Sequence, residues 1–338
     1  MSPNRFTNSF KFPALIQTIV LIAFTTLANP LSAQVLKYAE LNTRQITALD
    51  RNKTAIIIAG APLEQHGPYL PSYADGYWAE RHAQDLAENI VAAKPGWTAV
   101  LLPPVPLSCE GANTIGFKHV FSGSLTPRCN TVRQVFMDMG DSLAGQGFKW
   151  VFIVNYHGAP NNNRALDVAA DYFHDTYGGQ MVHLFGIIPV RFCCDLREKF
   201  LTPEQRKADG FTVHADAEET SMMLALRPDL VPADFKSALD QSGADFEDLI
   251  TLAGKKDWPG YFGSPRAASA ALGLAEYRAM VKASSEMALK IIDGFDYRTL
   301  PNYYTEFMKN PSEARVQAGE HDRKQEARQN QWLKKKGH

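Results

Sequence analysis

Residues 55 to 75 read Ala55-Ile-Ile-Ile-Ala-Gly-Ala-Pro-Leu-Glu-Gln-His-Gly-Pro-Tyr-Leu-Pro-Ser-Tyr-Ala-Asp75. The β-branched run from Ile56 to Ile58 predicts a buried strand, and the glycines and prolines that follow predict a loop. Because Glu64 and His66 are two positions apart in extended chain, their side chains point to the same side. The prolines stiffen the return that brings Asp75 back towards them. Three side chains able to bind a metal ion are therefore expected just past one strand.

The residue types in this loop indicate which ions they would bind. Two carboxylates and an imidazole form a mixed oxygen and nitrogen set that suits zinc, manganese or iron, and a carboxylate can bridge two such ions. The alternative is a loop whose polar residues cap a helix and face water, since Glu-x-His is a short and common pattern. This stretch alone leaves both interpretations open.

The same stretch resembles the signature of a known family. Residues 62 to 71, Pro-Leu-Glu-Gln-His-Gly-Pro-Tyr-Leu-Pro, followed by Asp75, are similar to the creatininase (creatinine amidohydrolase) pattern Leu-Glu-Gln-His-Gly-x-x-Leu-Pro followed by Asp. Three later stretches resemble the same family in the same order, between residues 37 and 295. The resemblance implies a metal-dependent hydrolase, and a homo-oligomer that is often a hexamer in the family.

The charge and length of the chain exclude several classes of protein. The 338 residues include 35 Lys and Arg against 36 Asp and Glu, which indicates neither a nucleic-acid-binding surface nor strong attraction to anionic membranes. No internal repeat or interdomain linker is evident. We therefore expect one domain over residues 34 to 300 and no nucleic-acid partner. The family resemblance implies a small-molecule amide substrate.

The N-terminus has the pattern of a secretory signal peptide. Arg5 and Lys11 precede an apolar run from Phe12 to Leu27, and small residues lead to an expected cleavage after Ala33. We expect a secreted or periplasmic protein with no stable membrane insertion after cleavage. The alternative is an uncleaved anchor, but an interrupted run of about 16 residues is short for a membrane span.

Export would place the four cysteines in an oxidising compartment, where they could pair. Cys109 and Cys129 flank a loop, whereas Cys193 and Cys194 are adjacent. A Cys109–Cys129 bond is the pairing we expect, although spacing does not fix connectivity. The chain has no Cys-x-x-Cys spacing that would favour a metal site instead.

Alternating strand and helix patterns predict a layered α/β domain, with a mostly parallel sheet flanked by helices. A short lead-in at residues 36 to 50 precedes the first strand. Strands are expected at residues 54–60, 97–102, 149–155 and 180–190. Helices are expected at residues 76–92, 131–146, 162–177 and 266–293. Ligands of such sheets bind beyond the carboxyl ends of the strands, so the loops after residues 60 and 155 should meet.

The second motif, Asn155-Tyr-His-Gly-Ala-Pro-Asn, resembles the family's Asn-Gly-His-Gly-Gly-Asn. The match implies that His157 binds metal, whereas an ordinary polar residue at a strand end is the alternative. Tyr156 replaces a glycine and is a candidate substrate contact. Creatininase has a metal-binding Glu two positions after the His. Since this position is Ala159 here, a second ion would need a ligand from elsewhere.

Within the long connection at residues 105 to 130, Phe121-Ser-Gly-Ser-Leu-Thr resembles the family's Phe-Pro-Gly-Thr, which contributes to the substrate pocket. By this match Ser124 is a candidate substrate contact. His119 also has a counterpart in the family, and a surface or core-edge histidine is the alternative.

The last motif, His214-Ala-Asp-Ala-Glu-Glu-Thr-Ser, resembles the family's His-Ala-Gly-x-x-Glu-Thr-Ser. The match implies that His214 is a catalytic histidine near the metal, and that Glu219 supplies the ligand missing at Ala159. Glu218 is expected only to favour the start of a helix. Asp216 replaces a glycine, a substitution that matters if the backbone there has an unusual conformation.

Two segments carry no informative motif. Residues 191 to 213 have irregular apolar spacing, and we expect an insertion near the pocket mouth or an oligomer contact. Residues 301 to 338 are expected to form a charged, solvated and partly disordered tail.

These matches lead to one hypothesis, an exported amidohydrolase that cleaves a C–N bond of a small amide or cyclic amide. Two divalent ions, zinc, manganese or iron, would be bridged by Asp75, and His214 would transfer a proton to the leaving nitrogen. The other expected ligands are Glu64 and His157 on one ion, and His66 and Glu219 on the other. The alternatives are a metallopeptidase acting on short peptides, and a secreted binding protein with this fold and no catalysis.

Overall fold

The computed structural model describes residues 34–193, 196–309 and 311–337. The expected signal peptide and Cys194 therefore lie outside the described residues. Within the described ranges, no helix has the length and apolar character needed to cross a membrane.

The centre of the molecule is a sheet of five parallel strands, in the order β1-β3-β2-β4-β5. The strands are β1 Gln34–Lys37, β2 Thr54–Gly60, β3 Thr98–Leu101, β4 Trp150–Asn155 and β5 Gln180–His183. All seven residues of β2 are buried, as expected for a central strand that is covered on both faces. The layered α/β fold predicted from the alternating patterns is confirmed.

The strand predictions were wrong at both edges of the sheet. β1 was not expected as a strand. It begins before the expected lead-in, overlaps its first two residues and pairs with β3, and four residues that are only partly buried or exposed are too few to show a hydrophobic period. β5 ends at His183 rather than at residue 190. The apolar run continues into a 3-10 turn and a short helix that contains Pro189, a residue without an N–H for a strand ladder.

Twelve α-helices lie within the described ranges. They are α1 Thr43–Thr47, α2 Ala74–Ala93, α3 Cys129–Gly145, α4 Pro160–Tyr177, α5 Ile188–Arg191, α6 Arg197–Phe200, α7 Pro203–Asp209, α8 Ala217–Leu226, α9 Phe246–Gly254, α10 Ala270–Ile292, α11 Tyr303–Phe307 and α12 Glu313–Lys336. Alternate residues of β2 belong to different cores. Ile57 packs with residues of α2 and α10, whereas Ile56 and Ile58 pack with residues of α3 and α4.

The C-terminal tail differs from the expected partly disordered segment, because α12 is a helix of 24 residues. Ala314 and Ala318 are buried, and Asp322 accepts a hydrogen bond of 2.8 Å from the backbone N–H of Cys129. The tail is rich in good helix formers but poor in apolar residues. Its stabilising contacts come from residues far away in sequence, which local composition does not reveal.

The described residues of the segment 191–213 include α6 and α7, which lie beside the start of α8. Arg197 forms an ion pair of 2.8 Å with the buried Asp209. Asp209 also accepts hydrogen bonds from the backbone N–H groups of Ser264 and Ala217, at 2.7 and 3.4 Å. This segment therefore supports the helix that carries Glu219. Its expected role in oligomer contacts stays a prediction.

Candidate metal centre

The structure brings together side chains from three of the four sequence motifs. Three groups have potential ligand atoms that all lie within 4.8 Å of one another. The groups are Glu64 with Asp75 and His157, His66 with Asp75 and Glu219, and Glu64 with His66 and His214. All these side chains are buried except that of Glu219, which is 22% exposed.

The loop after β2 is closed by a hydrogen bond of 2.8 Å from the N–H of Glu64 to the carbonyl of Ser72. This closure brings Asp75, in the first turn of α2, back beside Glu64 and His66. The end of β4 adds His157 from the neighbouring strand, because Gly60 and Asn155 are paired in register. The two loops therefore meet at one edge of the sheet, where ligands of parallel sheets bind.

Asp75 lies between two histidines and presents a different oxygen to each. Its Oδ1 is 3.2 Å from Nε2 of His66, and its Oδ2 is 3.5 Å from Nδ1 of His157. His157 Nδ1 also lies 3.0 Å from Glu64 Oε2, and His66 Nε2 lies 3.8 Å from Glu219 Oε2. The group of Glu64 and His157 and the group of His66 and Glu219 thus share only Asp75. This is the arrangement needed for a carboxylate that bridges two ions.

Backbone carbonyls fix the tautomers of the three histidines. Nδ1 of His66 lies 3.0 Å from the carbonyl of Glu64, and Nε2 of His214 lies 2.6 Å from the carbonyl of Gln65. Nε2 of His157 lies 3.1 Å from the carbonyls of both Cys109 and Glu110. Since a carbonyl only accepts, each of these nitrogens carries hydrogen, and the other ring nitrogen faces the carboxylates.

A lone pair aimed at a carboxylate is unfavourable unless a proton or a cation lies between them. Burial opposes the charge of His66, but the attraction of Asp75 prevails and raises the pKa of His66 to about 10. Burial likewise opposes the charge of His157, yet Glu64 and Asp75 raise its pKa. Burial alone would raise the pKa of Glu64, but His214 and His157 lower it to about 2. Oxygen and nitrogen donors that face one another in this way fit a divalent cation.

Glu219 is oriented by the backbone at the start of α8. Its Oε2 accepts a hydrogen bond of 2.5 Å from the N–H of Ala215. Asp216 caps the helix, because its Oδ1 accepts from the N–H groups of Glu218 and Glu219 at 2.9 Å. The left-handed backbone lies at Ala215, with φ of 51°, whereas Asp216 is extended. The substitution of glycine at 216 therefore introduces no strain there.

His214 differs electrostatically from the other two histidines. Burial lowers the pKa of His214 to about 4, so this ring is neutral at pH 7. Its Nδ1 lies 3.8 Å from Glu64 Oε1 and 3.9 Å from Glu219 Oε2. His214 is close enough to Glu64 and His66 to join a metal group as well. Its catalytic role stays a prediction.

The predicted substrate contacts occupy different surroundings. Ser124 Oγ accepts from the N–H of Gln65 and donates to Asn113 Oδ1, both at 3.1 Å, so it anchors the metal-binding loop. Tyr156 is buried, with its hydroxyl 2.8 Å from His82 Nδ1 and its ring stacked on Phe185 at a centroid distance of 4.9 Å. For both Ser124 and Tyr156, a role in substrate binding stays a prediction.

His119 lies at the periphery rather than with the metal groups. Its ring is stacked on that of His321 in α12, with 4.1 Å between the centroids. His119 therefore lies where the alternative interpretation, a surface or core-edge histidine, would place it.

Several supporting residues were missed in the sequence. Asn162 Oδ1 accepts a hydrogen bond of 3.1 Å from the N–H of Cys109, and Asn163 Nδ2 donates to the carbonyl of His157 at 3.2 Å. The expected Cys109–Cys129 disulfide is present and secures the loop whose carbonyls hold His157. The three consecutive asparagines after Pro160 were the available signal, because buried amides at a helix start need partners.

Glu110 was also missed, although it lies beside His157. Its backbone is left-handed, with φ of 62°, and its carboxylate accepts a hydrogen bond of 3.2 Å from the N–H of Asn161. Burial raises the pKa of this carboxyl to about 7. The only sign of this residue in the sequence was that it precedes Gly111 within the long connection at residues 105 to 130.

Metal binding is expected to release protons at pH 7. The pKa of His66 is about 10, so the metal-free ring is protonated there and must lose a proton to present Nε2 to an ion. Apparent affinity should therefore rise with pH up to about 10, by about tenfold per unit for each proton displaced.

Titration calorimetry with Zn²⁺ in buffers of different ionisation enthalpy measures this proton release. The variant His66→Asn should release fewer protons than the wild type. His214→Asn should leave this contribution unchanged, because His214 is already neutral at pH 7. Binding without proton release at pH 7 would contradict the tautomers and charges described above.

Comparison with known proteins identifies the family of this chain. The model of the creatininase family, described as creatinine amidohydrolase, matches residues 39–288. The mycofactocin precursor peptide peptidase of Mycobacterium ulcerans is 26% identical over 210 residues, which cover 59% of this chain and 69% of the peptidase.

Solved creatininases have the same fold as this chain. A manganese form has a TM-score of 0.55 and 18% identity, and the match covers 76% of this chain and 99% of that one. A point variant described as the Zn-Zn type has a TM-score of 0.54 and 18% identity, with coverage of 76% and 98%. The family model spans most of the domain, and all its motifs lie in one structural unit. This chain belongs to the creatininase family of hydrolases.

Proposed function

We propose that this protein is an exported, metal-dependent amidohydrolase that cleaves a C–N bond of a small amide or cyclic amide. The observation that carries the proposal is Asp75, whose two oxygens face histidines of two different ligand groups. Glu64 and His157 would complete one metal site, and His66 and Glu219 the other. The two ions per subunit would be zinc, manganese or iron, and the zinc and manganese forms of solved creatininases support this choice.

When bound, such ions activate water near neutral pH and polarise a carbonyl. The protein holds the ligands in place through its backbone, since the histidine tautomers are set by carbonyls. The Gln65 carbonyl keeps hydrogen on Nε2 of His214 and leaves Nδ1 free to accept a proton. His214 is therefore suited to receive a proton at Nδ1 and to deliver it to the leaving nitrogen.

A second candidate function is cleavage of short peptides. It is favoured by the likeness to the mycofactocin precursor peptide peptidase. The same ligand groups would serve an amide bond in either kind of substrate, so the metal groups do not separate the two candidates. A substrate panel that contains both classes does.

Export is proposed from the N-terminal pattern and is supported by the disulfide between Cys109 and Cys129. Disulfides persist in secreted and periplasmic proteins and are rare in the cytosol. The predicted homo-oligomer is part of the same proposal, and light scattering of the mature protein would test it.

The proposal is tested with mature protein, residues 34–338, purified without chelator. Elemental analysis should give about two equivalents of metal per chain, and fewer in His157→Ala. Turnover is then measured on N-formyl and N-acetyl amines, cyclic amides and dipeptides, before and after removal and return of zinc or manganese. Metal-dependent hydrolysis supports the proposal, and the class cleaved decides between the candidates. Stoichiometric metal with no turnover of any class would instead favour a binding protein.

A further inference from the structure

Arg191, the last residue of α5, lies against the loop that carries His157. Its guanidinium carbon is 3.8 Å from the ring centroid of Tyr303 and 4.4 Å from that of Phe185. Its Nη2 lies 2.8 Å from the point that a Cβ at Gly158 would occupy. Gly158 directly follows His157, so the absence of a side chain there allows the guanidinium to approach the metal-binding loop.

The Arg191 side chain is half-buried, and the innermost part of its guanidinium lacks a hydrogen-bond partner. Its Nη1 is buried and has no hydrogen-bond acceptor among the described residues. Aromatic rings stabilise an arginine through cation–π contact, but they do not satisfy its N–H groups. A buried polar group without a partner costs free energy and calls for a ligand or another explanation.

The electrostatic surroundings indicate the charge of the missing partner. Burial disfavours the Arg191 cation and lowers its pKa, an effect partly offset by Tyr303 and by the more distant Glu219 and Asp75. The last two are ligand candidates, and their negative charge would be neutralised by bound ions. Arg191 would then be an uncompensated cation at the side of the site, which favours an anionic group of the ligand.

We propose that Arg191 binds a carboxylate of the substrate, which makes it the residue that selects amides with a carboxylate near the scissile bond. This inference rests on the proposed function and deepens it. The planar guanidinium pairs with both oxygens of a carboxylate, which fixes the ligand in orientation as well as position. N-acyl amino acids and the C-terminal residue of a short peptide have the required chemistry.

The test compares two ligands that differ only in charge, N-acetylglycine and N-acetylglycinamide. Their affinities for the zinc-loaded mature protein are measured by calorimetry, and their hydrolysis is measured in parallel. Arg191→Met should lower the affinity for the acid by about 10- to 100-fold, the usual contribution of a charged hydrogen bond, and leave the amide unchanged. Arg191→Lys should restore part of the preference, because lysine supplies the charge without the planar fork.

The control is Arg164→Met, which removes an exposed arginine that lies 5.2 Å from the ring of Tyr304. This variant should behave as the wild type. Unchanged discrimination in Arg191→Met would overturn the inference, even if both ligands are hydrolysed. The inference also fails if the wild type binds acid and amide equally, or binds neither.

The proposed function fails separately from the inference. Loss of acid preference in Arg191→Met, together with no hydrolysis of the wider amide panel, would support the anion site and contradict the enzyme. If Arg191→Met does not fold, Arg191→Lys decides the matter, since an acid affinity equal to that of the wild type would show that the planar fork makes no contact.

Discussion

Asp75→Asn is expected to remove bound metal and to abolish turnover together. The carboxylate presents one oxygen to His66 and the other to His157, at 3.2 and 3.5 Å. An amide keeps the shape but has one neutral acceptor oxygen, so it cannot bridge two cations. Without the ions the transition state would lose several kcal/mol of stabilisation. This loss corresponds to a fall of about a thousandfold or more in kcat/KM.

The matched control is Asp85→Asn, on the same helix. Asp85 is engaged by the hydroxyl of Tyr277 at 2.7 Å and by Arg81 at 2.9 Å, outside the ligand groups. Elemental analysis and turnover should be unchanged in this variant. An Asp75→Asn or Asp75→Ala protein that retains stoichiometric metal and full activity would rule out the bridging role.

His214→Asn is expected to lower kcat by about 10²- to 10⁴-fold while metal content stays unchanged. Burial lowers the pKa of His214 to about 4, so the ring is neutral at physiological pH and one ring nitrogen carries no proton. Its Nε2 is fixed by the carbonyl of Gln65, which leaves Nδ1 for proton transfer. Asparagine occupies similar space but cannot carry a proton between water and a leaving nitrogen.

The control for this prediction is His183→Asn, which replaces another buried histidine. His183 pairs with Asp167 at 3.2 Å and belongs to none of the ligand groups. This variant should retain metal and kcat. If His214→Asn loses an equivalent of metal, His214 is a ligand, as its proximity to Glu64 and His66 also permits.

Much of the fold followed from local patterns. The continuous apolar run of β2 and the helical spacing after it predicted a parallel layered domain, because these periods reflect burial of each element. The predictions at the edges of the sheet were wrong because they depended on the same periods, which are not informative there. β1 is too short to show a period, and the run after β5 is equally apolar whether it forms strand or helix.

The residues of the metal groups could also be predicted from the sequence. Three motifs carry donors for divalent ions, and they follow strands or begin helices whose ends meet at one edge of a parallel sheet. Because Ala159 cannot bind metal, a second ion would need a ligand from another segment, and Glu219 lies where it could supply one. The roles of these residues await the measurements above.

Only the tertiary structure decided how these groups are held and what lies beside them. The carbonyls of Cys109 and Gln65 orient His157 and His214, over separations of 48 and 149 residues. Arg191 approaches Gly158 from a different segment of the chain, and α12 packs on residues near Cys129. A local pattern records whether a residue is buried and on which side of its element, whereas these contacts depend on how distant elements pack together.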